Sequence, residues 1–311
     1  MVCLIRGSAM TDRAPAKTGL WRDIRRQFLR HKGAVFGAYL FAGIVLAVLL
    51  GPALWSIAPD ALDFSARNAA PSLAHPFGTD QLGRDVLAQV LVGGRISLAV
   101  GVAAMVLSVG LGTLVGVSAG FFPRLDGPLM RLTDLFLSLP LLPLLLVIVM
   151  LFREALSAAV GTEMGIFLLV VTAIGLTSWM PVARIVRADV LSVREREFIL
   201  AARASGTTRF RQITRHVLPN VLSPVVVSAT LGIANAIITE SALSFLSLGF
   251  PSDFPTWGRL LSDGVVYLAE FPWRVFWPGL MISLTVLSVN FMGDGLRDAL
   301  DPKLRARTAR L

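Results

Sequence analysis

Cysteine is nearly absent, with Cys3 the single example in 311 residues. One thiol excludes an internal disulfide and any C-x-x-C redox or zinc pair. The three histidines, His31, His75 and His216, lie in three separate connecting stretches, so no metal site and no cofactor is expected. Lysine is also scarce, at Lys17, Lys32 and Lys303 only. A phosphate-cradling loop needs glycine amides followed by Gly-Lys-Ser/Thr. Ala16 stands where that glycine must be before Lys17, and the other lysines come no closer, so this chain does not hydrolyse ATP by that route. It has no H-E-x-x-H or G-x-S-x-G motif and no carboxylate pair spaced for acid–base work, so no catalytic residue is expected. Charge itself is sparse: 16% of residues, against about 25% in a soluble domain.

What fills the chain is hydrocarbon. Hydrophobic residues make up 55% of it, and the mean hydropathy is +0.71. Six runs contain no Asp, Glu, Lys or Arg: Lys32 to Asp60, Arg95 to Arg124, Asp134 to Arg153, Glu163 to Arg184, Arg215 to Glu240 and Arg274 to Asp294. A bilayer core of about 30 Å takes about 20 helical residues, and helices satisfy their own backbone groups in lipid. The expected class is an all-α polytopic membrane protein with six transmembrane helices.

The expected organisation is a basic tail over 1–32, a first span over 33–56 and an external loop over 57–95. Five spans follow over about 96–120, 130–152, 165–186, 222–246 and 275–296, within a core of 96–297, and a second basic tail closes the chain over 298–311. "WRDIRRQFLRHK" in the first tail has the pattern of an interfacial amphipathic helix. Lys and Arg number 23 on the side of the termini and 6 on the other, which places both termini in the cytoplasm. The net charge of +9 reflects this topology. Nucleic acid is not an expected partner, since that would need a soluble basic domain; the lipid bilayer is.

Three carboxylates lie toward span ends: Asp134, Glu240 and Asp294. They are candidates for a pathway or gate, and each also fits a capping or interface role. Secondary carriers keep ionisable groups at mid-membrane. The span interiors here are almost free of them, which disfavours the alternative of an ion-coupled transporter or channel. A pathway without an energy source needs a docking surface for a partner.

The stretch "REFILAARASGTTRFRQITRHVLPN" (196–220) supplies a candidate. Paired Ala201 and Ala202 share a helical face with Phe198 and Ser205, while Arg196 and Arg203 lie opposite. Gly206 suits a left-handed helix end, Thr207 or Thr208 can cap a second helix, and Phe210, Ile213 and Val217 fall at helical spacing. Pro219 suits the start of the following span. Two short helices across a glycine corner are expected over 194–219.

This pattern resembles the inner-membrane permease subunits of binding-protein-dependent ABC importers, and more closely the second permease of the dipeptide/oligopeptide/nickel group. Glu197, Ala201, Ala202, Arg203, Gly206, Leu218 and Pro219 match the family's cytoplasmic signature. Leu200 and His216 depart from it, standing where the broader family carries glutamate and isoleucine; the docking chemistry then falls to the alanine face and the glycine corner, with Glu197 the acid at hand. "HPFGTDQLGRDVLAQVLVGGRISLAVG" (75–101), "ESALSFLSLGF" with "PTWGRLL" (240–261) and "NFMGDGLRDALDPKLR" (290–305) agree as well. The resemblance implies a type I importer fold in the bacterial inner membrane. It also implies a homologous second permease, two cytoplasmic ATP-binding subunits that receive the glycine-cornered coupling loops, and a periplasmic or lipid-anchored solute-binding protein. Family members carry dipeptides, longer peptides, glutathione, nickel complexes and related solutes.

Overall fold

A computed structural model describes residues 20–251 and 254–300, so Cys3, Lys17, Lys303 and most of the two basic tails lie outside the described residues. The helices are α1 (Leu20–Arg30), α2 (Lys32–Leu54), α3 (Val86–Phe121), α4 (Pro123–Ser138), α5 (Leu141–Val160), α6 (Thr162–Arg194), α7 (Glu197–Ala204), α8 (Arg209–Gln212), α9 (Leu218–Phe245), α10 (Trp257–Val265) and α11 (Trp273–Leu300). Six helical runs are long and apolar enough to cross a membrane: α2, α3, α5, α6, the stretch Arg209–Phe245 and α11. The all-helical polytopic class read from the charge-free runs is what the chain adopts.

The third span needs correcting. Expected over 130–152, it is broken at Leu139 and Pro140, both extended, with ψ of 137° and 114°. Proline bars its predecessor from the helical region, and Pro140 has no N–H to continue α4. Arg124, Asp126, Arg131 and Asp134 lie on α4, while the crossing helix is α5. Arg153, expected in an external loop, therefore sits on α5, where it donates to the Gly249 carbonyl at 2.7 Å. The expected loop over 57–95 is also shorter, since α3 begins at Val86.

The centre of the bundle is the crossing of α3 and α6. Gly112, Gly116 and Gly120 recur every four residues and so form one stripe on α3. A Cβ at Gly112 would stand 2.7 Å from the Trp179 carbonyl oxygen, one at Gly116 2.6 Å from that of Ala183, and one at Gly120 2.7 Å from Val190 Cβ. Small residues at this spacing let helix backbones touch, the main source of helix association in lipid. Gly116→Ala is expected to cost about 1–3 kcal/mol by overpacking. Gly110→Ala, whose Cβ meets nothing within 4 Å, should leave stability unchanged; thermal unfolding of the two variants in one detergent checks the contrast.

A second local device concerns Pro52, inside α2. It has no N–H for the Val48 carbonyl four residues back. Arg95 of α3 donates its Nε to that carbonyl at 3.0 Å and its Nη2 to Leu49 O at 2.7 Å. The charge thus sits where the helix has spare acceptors.

The stretch between α2 and α3 is a folded polar lobe. Asp85 is fully buried; it caps α3 by accepting from Ala88 N at 2.7 Å and pairs with His75 Nδ1 at 2.8 Å. Asp80 accepts from the Leu82 and Arg84 amides and from Arg84 Nε at 2.7 Å. Arg274, on α11, is buried against this lobe, donates to Gln81 and stacks 4.5 Å over the Tyr267 ring. The Phe77 and Trp277 rings stack at 3.8 Å. These contacts seat the lobe on one end of the bundle.

Candidate functional site

At the other end stands the glycine corner. α7 is closed by two bonds: Gly206 N donates to Arg203 O at 3.0 Å and Thr207 N to Ala202 O at 3.1 Å. That reciprocal pair defines a Schellman closure, which requires a left-handed residue between. Gly206 fills the place, with φ of +75°. A Cβ there would meet nothing within 4 Å, so backbone conformation alone demands glycine within this chain.

The corner is anchored by one residue. Ile199 is fully buried and packs in a cluster with Val193 of α6 and Val217 and Val221 at the foot of α9. Most of α7 around it faces outward. Glu197, Ala201, Arg203 and Gly206 are exposed and Ala202 is half-buried. Phe198 and Leu200 are also exposed. Leu218 is half-buried against the same cluster, and Pro219 is exposed at the start of α9.

The second short helix differs from the pattern reading in two ways. Thr208 stands at its N-cap but makes no side-chain capping bond; instead Gln212 Nε2 donates to Thr207 O at 2.7 Å. Phe210 does not join Ile213 and Val217 on a buried face, since it is 76% exposed. The cause is a π-helical turn over Ile213–Val217, closed by Leu218 N donating to Ile213 O, five residues back. One extra residue in the turn rotates the preceding side chains off the α-helical stripe. Pro219 removes the donor that a regular helix would offer to Arg215 O, which explains why the wide turn sits there.

The three carboxylates are not brought together. Asp134, exposed on α4, pairs with Arg184 of α6, and Asp126 pairs with Arg187 beside it, with Arg187 Nη2 to Asp126 Oδ2 at 2.7 Å. That hydrogen bond from Arg187 holds the Asp126 carboxyl below the usual carboxylate range. Both pairs fasten α4 along α6. Asp294 is exposed near the end of α11. Glu240 is fully buried. It accepts from Ser97 Oγ of α3 at 3.1 Å and from Ser244 Oγ at 2.7 Å. Trp257 N donates to the same Ser97 oxygen at 3.3 Å, and Trp257 Nε1 to Val90 O at 2.9 Å. Glu240 is thus the polar joint that ties α3, α9 and α10, and three stretches far apart in sequence close on it.

Sequence reasoning missed a hollow of about 490 Å³ between α6, α9 and the α4–α5 break, with Ser178, Asn235 and Thr239 among its walls. The available signal was Asn235, the amide side chain in the interior of the long charge-free stretch from Arg215 to Glu240, where Asn220 lies near its start.

The sequence profile of the binding-protein-dependent transport system inner membrane component matches residues 108–306. The chain belongs to that family. It is a multi-pass protein of the inner membrane and a permease subunit of an ATP-binding cassette importer. A second profile, the N-terminal TM domain of oligopeptide transport permease C, matches residues 19–71. Among relatives, a Brucella suis biovar 1 protein provisionally named a peptide permease is 42% identical over 94% of this chain and 95% of its own length. The oligopeptide transport system permease protein OppC of Haemophilus influenzae is 39% identical, over 92% and 89% of the two chains. The dipeptide transport system permease protein DppC of Alkalihalophilus pseudofirmus is 38% identical, over 92% and 91%. The Gly206 corner and every residue lining the hollow except Met105 fall within the stretch that carries the permease signature.

Proposed function

We propose that this permease forms half of the translocation pathway of a peptide importer, paired with a homologous second permease. Each permease engages one of two cytoplasmic ATP-binding subunits, and an external solute-binding protein delivers the peptide. The observation that carries the reading is the corner itself: an outward-facing element, set in the left-handed conformation at Gly206, in a chain without a phosphate-binding loop. Glu197, Ala201, Ala202, Arg203, Gly206, Leu218 and Pro219 form the coupling loop. Both termini are cytoplasmic, as the 23-to-6 distribution of Lys and Arg implies. ATP drives transport by binding one state of the assembly more tightly than the other, which shifts the population of inward- and outward-facing forms.

The test is reconstitution in liposomes with the second permease, ATP-binding subunits and binding protein of the same organism. Peptide uptake is expected only with ATP and only with the full set. Uptake by this chain alone, driven by an ion gradient, overturns the reading.

A further inference from the structure

Midway through the bundle the chain leaves polar groups facing the hollow between α6 and α9. Asn235 lies ten residues before the end of α9 (Leu218–Phe245). It is exposed, and its side-chain amide has no hydrogen-bond partner among the described residues. Thr239 and Ser228 border the same hollow from α9, four and seven residues away, so the three share one helical stripe. Facing them on α6 is Ser178, sixteen residues from either end of Thr162–Arg194.

A second observation is independent of Asn235. Pro181 lies inside α6 and borders the hollow with Thr177. Proline has no N–H for the carbonyl four residues back, here that of Thr177. The equivalent carbonyl freed by Pro52, Val48 O, receives Arg95 Nε. No side chain of the described residues donates to Thr177 O. A bare amide and a freed carbonyl at mid-bilayer depth are too costly against lipid. They call for water or a polar solute in the hollow.

The wall chemistry selects among solutes. None of the hollow's lining side chains is ionisable; the rest of the wall is Met, Phe, Leu, Ile, Val and Gly232. A charged wall would favour peptides of one sign and hold back the other. An amide offers one acceptor and two donors, which match the C=O and N–H that every peptide carries whatever its side chains. We propose that Asn235, with Ser178 and the Thr177 carbonyl, is a mid-membrane contact for the main-chain amides of the moving peptide. This rests on the peptide-importer reading above.

Cysteine probing suits this chain because Cys3 is its single thiol. In a Cys3→Ser background within the reconstituted complex, Asn235→Cys is expected to react with a charged, membrane-impermeant thiol reagent. Its labelling should change with ATP and fall when peptide is present. For transport, the probes are the tripeptides Ala-Ala-Ala, Ala-Glu-Ala and Ala-Lys-Ala. Asn235→Leu should lower the maximal uptake of all three by the same factor, about tenfold, the scale of one lost hydrogen bond to a desolvated polar group. The external concentration for half-maximal uptake should stay put. Asn235→Asp should split the series, slowing Ala-Glu-Ala about tenfold relative to Ala-Lys-Ala. Uptake within twofold of normal in Asn235→Leu overturns the contact. So does a cysteine at 235 that stays unlabelled in every nucleotide state, or that cross-links to the second permease in all of them, since it is then an interface residue. If the unsubstituted complex takes up none of the tripeptides, it is the peptide reading that falls, and the contact falls with it.

Discussion

Gly206→Val is expected to abolish uptake while the protein still inserts and stays folded. The two halves of that result come from different parts of the geometry. Nothing lies within 4 Å of a Cβ at this position, so the side chain clashes with nothing in this chain and thermal stability should barely move. The φ of +75° is another matter, because a β-branched residue is strongly disfavoured in the left-handed region. Strain of about 2–3 kcal/mol opens the Schellman closure and lowers the properly shaped corner roughly a hundredfold. Gly206→Asn is the discriminating partner, since Asn tolerates this conformation; it should keep uptake within several-fold of normal. The checks are ATP-driven uptake in reconstituted vesicles and thermal unfolding of each variant. Normal uptake in the Val variant sinks the coupling role. Equal loss in Asn and Val shows that bulk at a docking surface matters and conformation does not.

Glu240→Ala is expected to have the largest effect on stability, about 3–5 kcal/mol. Two terms add: a cavity at a fully buried site, and the Ser97 and Ser244 hydroxyls left without their acceptor. Through Ser97 the loss reaches the Trp257 amide, so α10 should loosen as well. Glu240→Gln keeps the volume and an acceptor oxygen, and should cost about 1 kcal/mol or less. Thermal unfolding together with uptake separates structure from transport. If Glu240→Gln unfolds like the unsubstituted protein but no longer transports, Glu240 works in the pathway and the structural assignment fails.

Charge-free runs made the six crossings legible, because the cost of a charge in hydrocarbon writes itself directly into composition. The break at Pro140 was not legible that way: proline is neutral to a hydropathy count, so the run from Asp134 to Arg153 looked like one span. The corner could be read from spacing, since a Schellman closure is local and its glycine must be in the sequence. The π-helical turn next to it also has a sequence cause in Pro219, but its effect, the outward rotation of Phe210, depends on geometry that a helical wheel assumes away. The seating of the polar lobe on α11 and the link from Glu240 to α3 depend on distant partners, Gln81 with Arg274 at 193 residues and Ser97 with Glu240 at 143. No local pattern contains them. Asn235 escapes notice for the opposite reason: being polar but uncharged, it leaves the charge-free run intact.

The seat of Ile199 has a mechanical consequence. It lies where the lower ends of α6 and α9 meet, and those helices run about 21–23 Å from Val193 and Val221 to the depth of Ser178 and Asn235. A tilt of about 10° about that fulcrum moves the far groups by about 4 Å, most of the about 4.7 Å that separates neighbouring extended backbones, provided the rods do not bend. The glycine-seamed contact of α3 with α6 stiffens one of the two rods. The other, α9, begins in a π-helical turn and is the more compliant, so the first visible strain of a stroke should appear on the Asn235 side.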